Sequence, residues 1–194
     1  MPHRNRVTPY GDIVASPLRC DWMGNRGCLH RDEDIVRPWN GNRWITCVLE
    51  FRGWVAPKWE PGRWTALFFH DEAVAFAAGH RPCALCRRAD YLRYCEALGT
   101  KGADDIDARL HRDRLDGSSA RRQKRLHTMS WRELPDGVFV VTDDGPARVT
   151  GDTLHPWSAD VGYLSTTERP GRGDATVITP ATNVAVLCAG YALS

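Results

Sequence analysis

The chain has 194 residues, 42% hydrophobic and 26% charged, with a formal net charge of +2 at pH 7. That length supports a core in one domain or two small lobes, and the composition is far from that of chains that stay disordered. No apolar run approaches the ~18 to 20 residues of a membrane span, MPHRNRVTPYGDIV lacks a signal-peptide core, and so small a charge establishes no nucleic-acid partner unless it is clustered.

A cytoplasmic location without a membrane partner is the resulting expectation. The seven cysteines then point to metal ligation or burial rather than to a disulfide framework.

From Arg26 onward, RGCLH, RDED, IVRPW, NGN and RWITCVLEF alternate short β-prone runs with turn residues, the pattern of a strand meander. In RWITCVLEF a period of two places Ile45, Cys47, Leu49 and Phe51 on the apolar face, so Cys47 is expected to point inward. After the loop GWVAPKWEPGRW, TALFFH reads as another strand. Asp71 can cap a helix that starts at Glu72 and stops at Gly79.

RRADYLRYCEALG reads as a second helix that buries Ala89, Leu92, Cys95 and Leu98 and ends at Gly99. A third is expected from about 104 to 115, followed by the basic connector GSSARRQKRLH. The remainder has β character in GVFVV, PARVT and DATVIT. Thr179 is placed to cap a closing helix with Pro180 at its first position and Gly190 at its end. The expected fold is α+β: a zinc-stabilised β-meander plus helices over 1–100, a helical basic connector over 101–127, and a β-rich C-terminal lobe over 128–194 closed by a short helix.

GHRPCALCRRADY holds Cys83 and Cys86 in a Cys-x-x-Cys turn at a helix start, where free amides and the helix dipole favour thiolate. Arg81, Arg87 and Arg88 push the same way. The pair suits Zn²⁺, but a structural zinc site needs four ligands, so it is half of one. A redox couple and two unliganded thiols are the competing readings.

The run LFFHDEAVAFAAGHRPCALCRR, residues 67–88, resembles the second half of the Ada-type zinc-binding domain. There a strand, a short helix and a Gly-x-Arg-Pro-Cys-x-x-Cys turn supply two of four zinc cysteines. The resemblance implies that Cys83 and Cys86 are zinc ligands. The rest of the chain resembles bacterial proteins that carry the same turn. The upstream Cys-x-x-x-Cys of that domain is missing here, as is the Pro-Cys-His-Arg signature of the alkyltransferase domain, which weakens any transfer of methyl-acceptor chemistry.

Candidates to complete the site are Cys20, Cys28, His30 and Cys47. Cys28 and His30 share a strand face, whereas Cys47 would lie two strands from Cys28 in a meander. Cys28 is the favoured third ligand and the fourth stays open, so the expected set is four of Cys28, His30, Cys47, Cys83 and Cys86.

In DDIDARLHRDR, the residues Asp104, Asp107, His111 and Arg114 form one helical stripe. It could serve acid-base, metal or phosphate chemistry if His127 or His155 converged on it, and is otherwise a solvated face. Arg121, Arg122, Lys124 and Arg125 crowd together and could contact phosphate. Some of the eight tryptophans could stack on bases. GDTLHPWSADVGY collects His155, Trp157 and Tyr163 in a loop-like region that could wall a pocket. The leading expectation is a zinc-binding protein engaging DNA or RNA with a structural metal. The alternatives are a small (metallo)enzyme using Asp104, Asp107 and His111 between the lobes, and a metal-stabilised protein-interaction module.

Overall fold

In the computed structural model, which describes residues 2–100, 102–116 and 123–194, two large sheets pack with four α-helices, a mixed α+β architecture. No helix among these residues is long and apolar enough to cross a membrane. The N-terminal sheet has the strand order Arg81–Pro82, Ile45–Cys47, Trp22–Asn25, Leu67–Phe69, Arg4–Val7, Ile13–Ala15. Trp22–Asn25 runs antiparallel to both of its neighbours, and Arg81–Pro82 lies parallel to Ile45–Cys47.

This order is not the expected meander. A parallel pair needs a long crossover, and the chain between Cys47 and Arg81 supplies it: a hairpin of Glu50–Phe51 with Trp54–Val55, the central Leu67–Phe69 strand and one helix. RWITCVLEF is correspondingly broken, since only Ile45–Cys47 joins the sheet and Leu49 is exposed. Cys47 is buried as expected, but Trp44 and Thr46 on the opposite face are buried too. Gly24 is needed on the central strand, because a Cβ there would stand 2.1 Å from the Ile45 carbonyl oxygen.

Helix α1, Glu72–Ala77, is capped by the Asp71 carboxylate, which accepts from the Val74 amide at 2.8 Å. All six of its residues are buried. Helix α2, Arg88–Leu98, ends at Gly99 in the left-handed conformation. Its buried face is made by Tyr91, Tyr94 and Cys95 rather than by Leu92, which is half exposed. The helix turns its aromatic residues inward, where Tyr94 meets Phe76 and Tyr191 edge-on.

Helix α3 is Ala103–Arg114, and helix α4 is Ala181–Cys188. Pro180 precedes α4 as its cap residue; the Thr179 hydroxyl is not a cap but accepts from the Phe139 amide at 2.9 Å.

The C-terminal sheet has the order His127–Ser130, Asp174–Val177, Phe139–Thr142, Gly145–Thr150, Thr153–Ser158, Gly162–Tyr163, with Thr167–Glu168 also paired to Thr153–Ser158. GVFVV and PARVT form the hairpin their turn implies. His155, Trp157 and Tyr163 stand on paired strands instead of a loop. The two sheets do not keep separate cores. Phe76 packs with Val140 and Val177 in one cluster, and Phe69 and Val74 pack with Phe139, Trp157 and Ile178 in another.

Candidate metal centre

The parallel ladder between Arg81–Pro82 and Ile45–Cys47 decides which cysteines meet. Pairing of Pro82 with Thr46 brings Cys83 beside Cys47, and the Cys83 amide donates to the Thr46 carbonyl at 2.9 Å. The turn then returns Cys86 to the same spot, with the Arg87 amide donating to the Cys83 carbonyl at 3.1 Å. The three sulfurs all lie within 4.8 Å of one another. A tetrahedral Zn²⁺ with Zn–S bonds of about 2.3 Å separates its sulfurs by about 3.8 Å, so small side-chain rotations would suffice to hold one.

The three thiols shift one another's acidity. Hydrogen bonds from Cys47 and Cys86 hold the Cys83 sulfur far below its ordinary pKa, helped by the Cys86 and Leu85 amides, the latter 3.4 Å from it. The bond to Cys83 likewise pushes Cys47 well up, and that to Cys86 adds to it. A cation bound there would replace the protons of the remaining thiols.

All three cysteines line a cleft of about 420 Å³ whose other walls are mostly apolar, among them Met23, Phe51, Trp54, Trp64 and Leu85. Trp54 and Trp64 pack at 6.0 Å. Leu85 and Trp54 are largely exposed at its rim, 70% and 50%.

The other expected ligands are elsewhere, and the preference for Cys28 as third ligand is corrected: among the described residues the cluster's third member is Cys47. The Cys28 thiol is 3.9 Å from the His30 carbonyl. His30 is buried with both ring nitrogens engaged. Nε2 donates to the Glu60 carbonyl at 3.2 Å, which leaves Nδ1 to accept from the Thr65 hydroxyl at 2.6 Å. No lone pair is left for a metal. Cys20 lies 3.6 Å from the Leu18 carbonyl, and burial raises its pKa to about 11.

The residues of the helical stripe have separate surroundings. Asp107 is buried and held by Arg81 through two bonds of 2.8 Å. The Asp104 side chain is 92% exposed, beside Arg43 at 3.6 Å. His111 accepts from Arg114 at 2.9 Å and meets Trp39 and Trp44 edge-on. His155 contacts Thr153 and Tyr163, away from this group.

Of the basic cluster, Arg121 and Arg122 fall outside the described residues. Lys124 turns its ammonium inward to the Ala77 carbonyl, and Arg125 pairs with Asp116 at 3.2 Å. Arg125 keeps its guanidinium about half exposed, whereas the Lys124 ammonium does not face outward.

Comparisons with protein-family models, with curated proteins and with solved structures found no match.

Proposed function

We propose that the protein is a metal-thiolate protein in which Cys47, Cys83 and Cys86 hold a zinc ion and leave its fourth position open to a ligand entering the apolar cleft. The observation that carries this reading is the convergence of three sulfurs within 4.8 Å on the cleft wall. Three protein ligands with one open position is the pattern of reactive or exchangeable zinc, whereas structural zinc is closed by four.

The donor set also narrows the chemistry. Three thiolates more than neutralise the dication, so the ion is a weak Lewis acid and a poor generator of hydroxide compared with histidine-bound zinc. The walls favour a ligand with an apolar body. Association with DNA or RNA along the surface of the basic stretch would fall to Arg121, Arg122 and the half-exposed Arg125, since the Lys124 ammonium is directed inward.

Elemental analysis of protein purified without added metal is expected to give about one zinc per chain. The metal should be lost in Cys47→Ser, Cys83→Ser and Cys86→Ser but kept in Cys28→Ser. In the cobalt-substituted protein, imidazole or a small thiol should alter the visible absorption by entering the open position. Zinc retained by Cys47→Ser would remove the site, and a cobalt spectrum indifferent to both ligands would show that the protein closes the fourth position itself.

A further inference from the structure

A second pocket, of about 380 Å³, opens where Trp39 and Trp44 face Tyr10, Gly11 and Asp12. Three cationic side chains, Arg26, Arg114 and Lys124, line it. Arg26 and Arg114 are 1% and 0% exposed, and their guanidiniums lie 4.1 and 3.8 Å from the centre of the Trp44 ring. Lys124 is half-buried as a residue, with its ammonium directed inward to the Ala77 carbonyl.

These cations are compensated unlike the others inside the fold. Buried Arg81 has Asp107 at 2.8 Å, and buried Arg87 has Glu72 at 2.6 Å. Arg26 instead donates to neutral acceptors, through Nε to His80 Nε2 at 3.2 Å and through Nη1 to the Gly11 carbonyl at 2.7 Å, and its Nη2 is buried without a hydrogen-bond partner. Arg114 donates to the Gly79 and Asn42 carbonyls at 2.9 and 2.7 Å and to His111, and its Nε has no such partner.

The one carboxylate lining the pocket is Asp12, which is exposed. Met1, Lys101 and the 117–122 stretch GSSARR, which lie outside the described residues, contain no acidic side chain. Burial lowers Lys124 well below the usual lysine range, with Arg26 and Arg114 adding to it, and burial brings Arg26 down to about 9. Clustered, desolvated cations of this kind are unfavourable unless an anion joins them.

We propose that this pocket binds a phosphate monoester, with the phosphate among Arg26, Arg114 and Lys124 and a flat organic group against Trp39. Three basic side chains facing one carboxylate suit the ~1.5 to 2 negative charges of a phosphate monoester at neutral pH, whose approach favours their charged forms. A guanidinium with an unused N–H suits phosphate oxygens, and an ammonium adds a point charge. The volume exceeds what a bare anion needs and falls in the range of small-molecule sites. Trp39 is half-buried, so its indole offers a stacking face at the wall. The monoester could belong to a free mononucleotide or to the phosphorylated end of a nucleic acid; the chemistry recognised is the same.

The test is calorimetric titration of the whole protein with inorganic phosphate, adenosine monophosphate, and a short oligonucleotide with and without a 5′-phosphate. Phosphate is expected to bind in the millimolar range and the mononucleotide more tightly. Lys124→Gln, checked for folding by circular dichroism, should weaken both by about tenfold or more, the loss of one charge-assisted contact. Should that variant fail to fold, Trp39→Ala should weaken the mononucleotide while leaving inorganic phosphate unchanged. Preference for the 5′-phosphorylated oligonucleotide over its unphosphorylated form supports the proposal and assigns the source to a nucleic-acid end. Equal binding of the two oligonucleotides without binding of the mononucleotide overturns it, as does the absence of binding by every phosphate probe.

Discussion

Replacing Asp107 with alanine tests whether the α3 stripe is catalytic or structural. Asp107 is 1% exposed and Arg81 2%, and Arg81 donates two bonds of 2.8 Å to the carboxylate, with the guanidinium also 5.3 Å from the centre of the Tyr91 ring. Removal of the carboxylate strands a buried cation on the strand that leads directly into Cys83. Breaking such a pair costs about 3–5 kcal/mol, or on the order of 6–20 °C in Tm for a chain of this size. The companion Asp104→Asn, on a side chain that is 92% exposed, should leave Tm unchanged within error. The double variant Arg81→Met with Asp107→Leu should recover most of the loss, because it removes both buried charges together. Thermal and urea unfolding followed by circular dichroism read all three. An Asp107→Ala protein as stable as wild type would refute the reasoning, and so would a double variant no better than the single one.

Gly79→Ala should destabilise the protein by about 2 kcal/mol or more, read from urea midpoints. Its φ of +91° disfavours any Cβ, and that Cβ would stand 2.7 Å from Cδ of Arg114, whose guanidinium bonds the Gly79 carbonyl. His80 should contribute to acid sensitivity. Burial, with the charges of Arg26 and Arg114 adding to it, holds its folded pKa well below 6.5. The unfolded chain therefore binds the proton more readily, and this contribution is fully present above about pH 6.5 and is lost as pH falls below it, at up to about 1.4 kcal/mol per pH unit. His80→Gln should reduce that slope between pH 6.5 and 5, and an unchanged slope would count against a buried neutral histidine. Under native-state hydrogen exchange, the Cys83 amide, bonded to Thr46, should lose protection in Cys47→Ser while Val177 and Ile178 keep theirs.

Local signals in the sequence translated well where short-range physics decides. Asp71, Gly79 and Gly99 mark the ends of α1 and α2 because caps depend on one residue and its own backbone. Burial of Cys47 was expected from a period of two, but Trp44 and Thr46 on the other face are buried as well, because both faces of this strand are covered. What could not be read was strand partnership. Nothing in Arg81–Pro82 reads as a strand, since two residues carry no periodicity, and its partner Ile45–Cys47 lies more than thirty positions upstream. The spacing of Cys28 and His30 made them candidate ligands, yet His30 sits on a side ladder with Asp34–Ile35 where Thr65 and Glu60 consume the imidazole. The α3 stripe was legible as a stripe, but its partners were not. Asp107 reads as a base from sequence and as the counterion of Arg81 in space. Lys124 belonged to an exposed-looking basic run, and the short ladder of Leu115–Asp116 with Gln123–Lys124 folds it back against α1.

The cysteine cluster and the cationic pocket meet at one strand, and its alternation explains why both can exist in so small a protein. Trp44 and Thr46 lie on one face of that segment and Ile45 and Cys47 on the other. Trp44 therefore backs the two arginines of the second pocket, while Cys47 stands among the thiols three residues away. The same ladder fixes both. The Arg81 amide donates to the Trp44 carbonyl at 3.2 Å and the Cys83 amide to that of Thr46 at 2.9 Å. Arg81 is in turn locked by Asp107 of α3, and Arg114 at the end of α3 reaches the Gly79 carbonyl just before the turn. The buried Arg81–Asp107 pair thus has a positional role that its net stability alone would not explain. It holds the Cys-x-x-Cys turn against the strand that carries Cys47, and it holds α3 where its last arginine can face the second pocket.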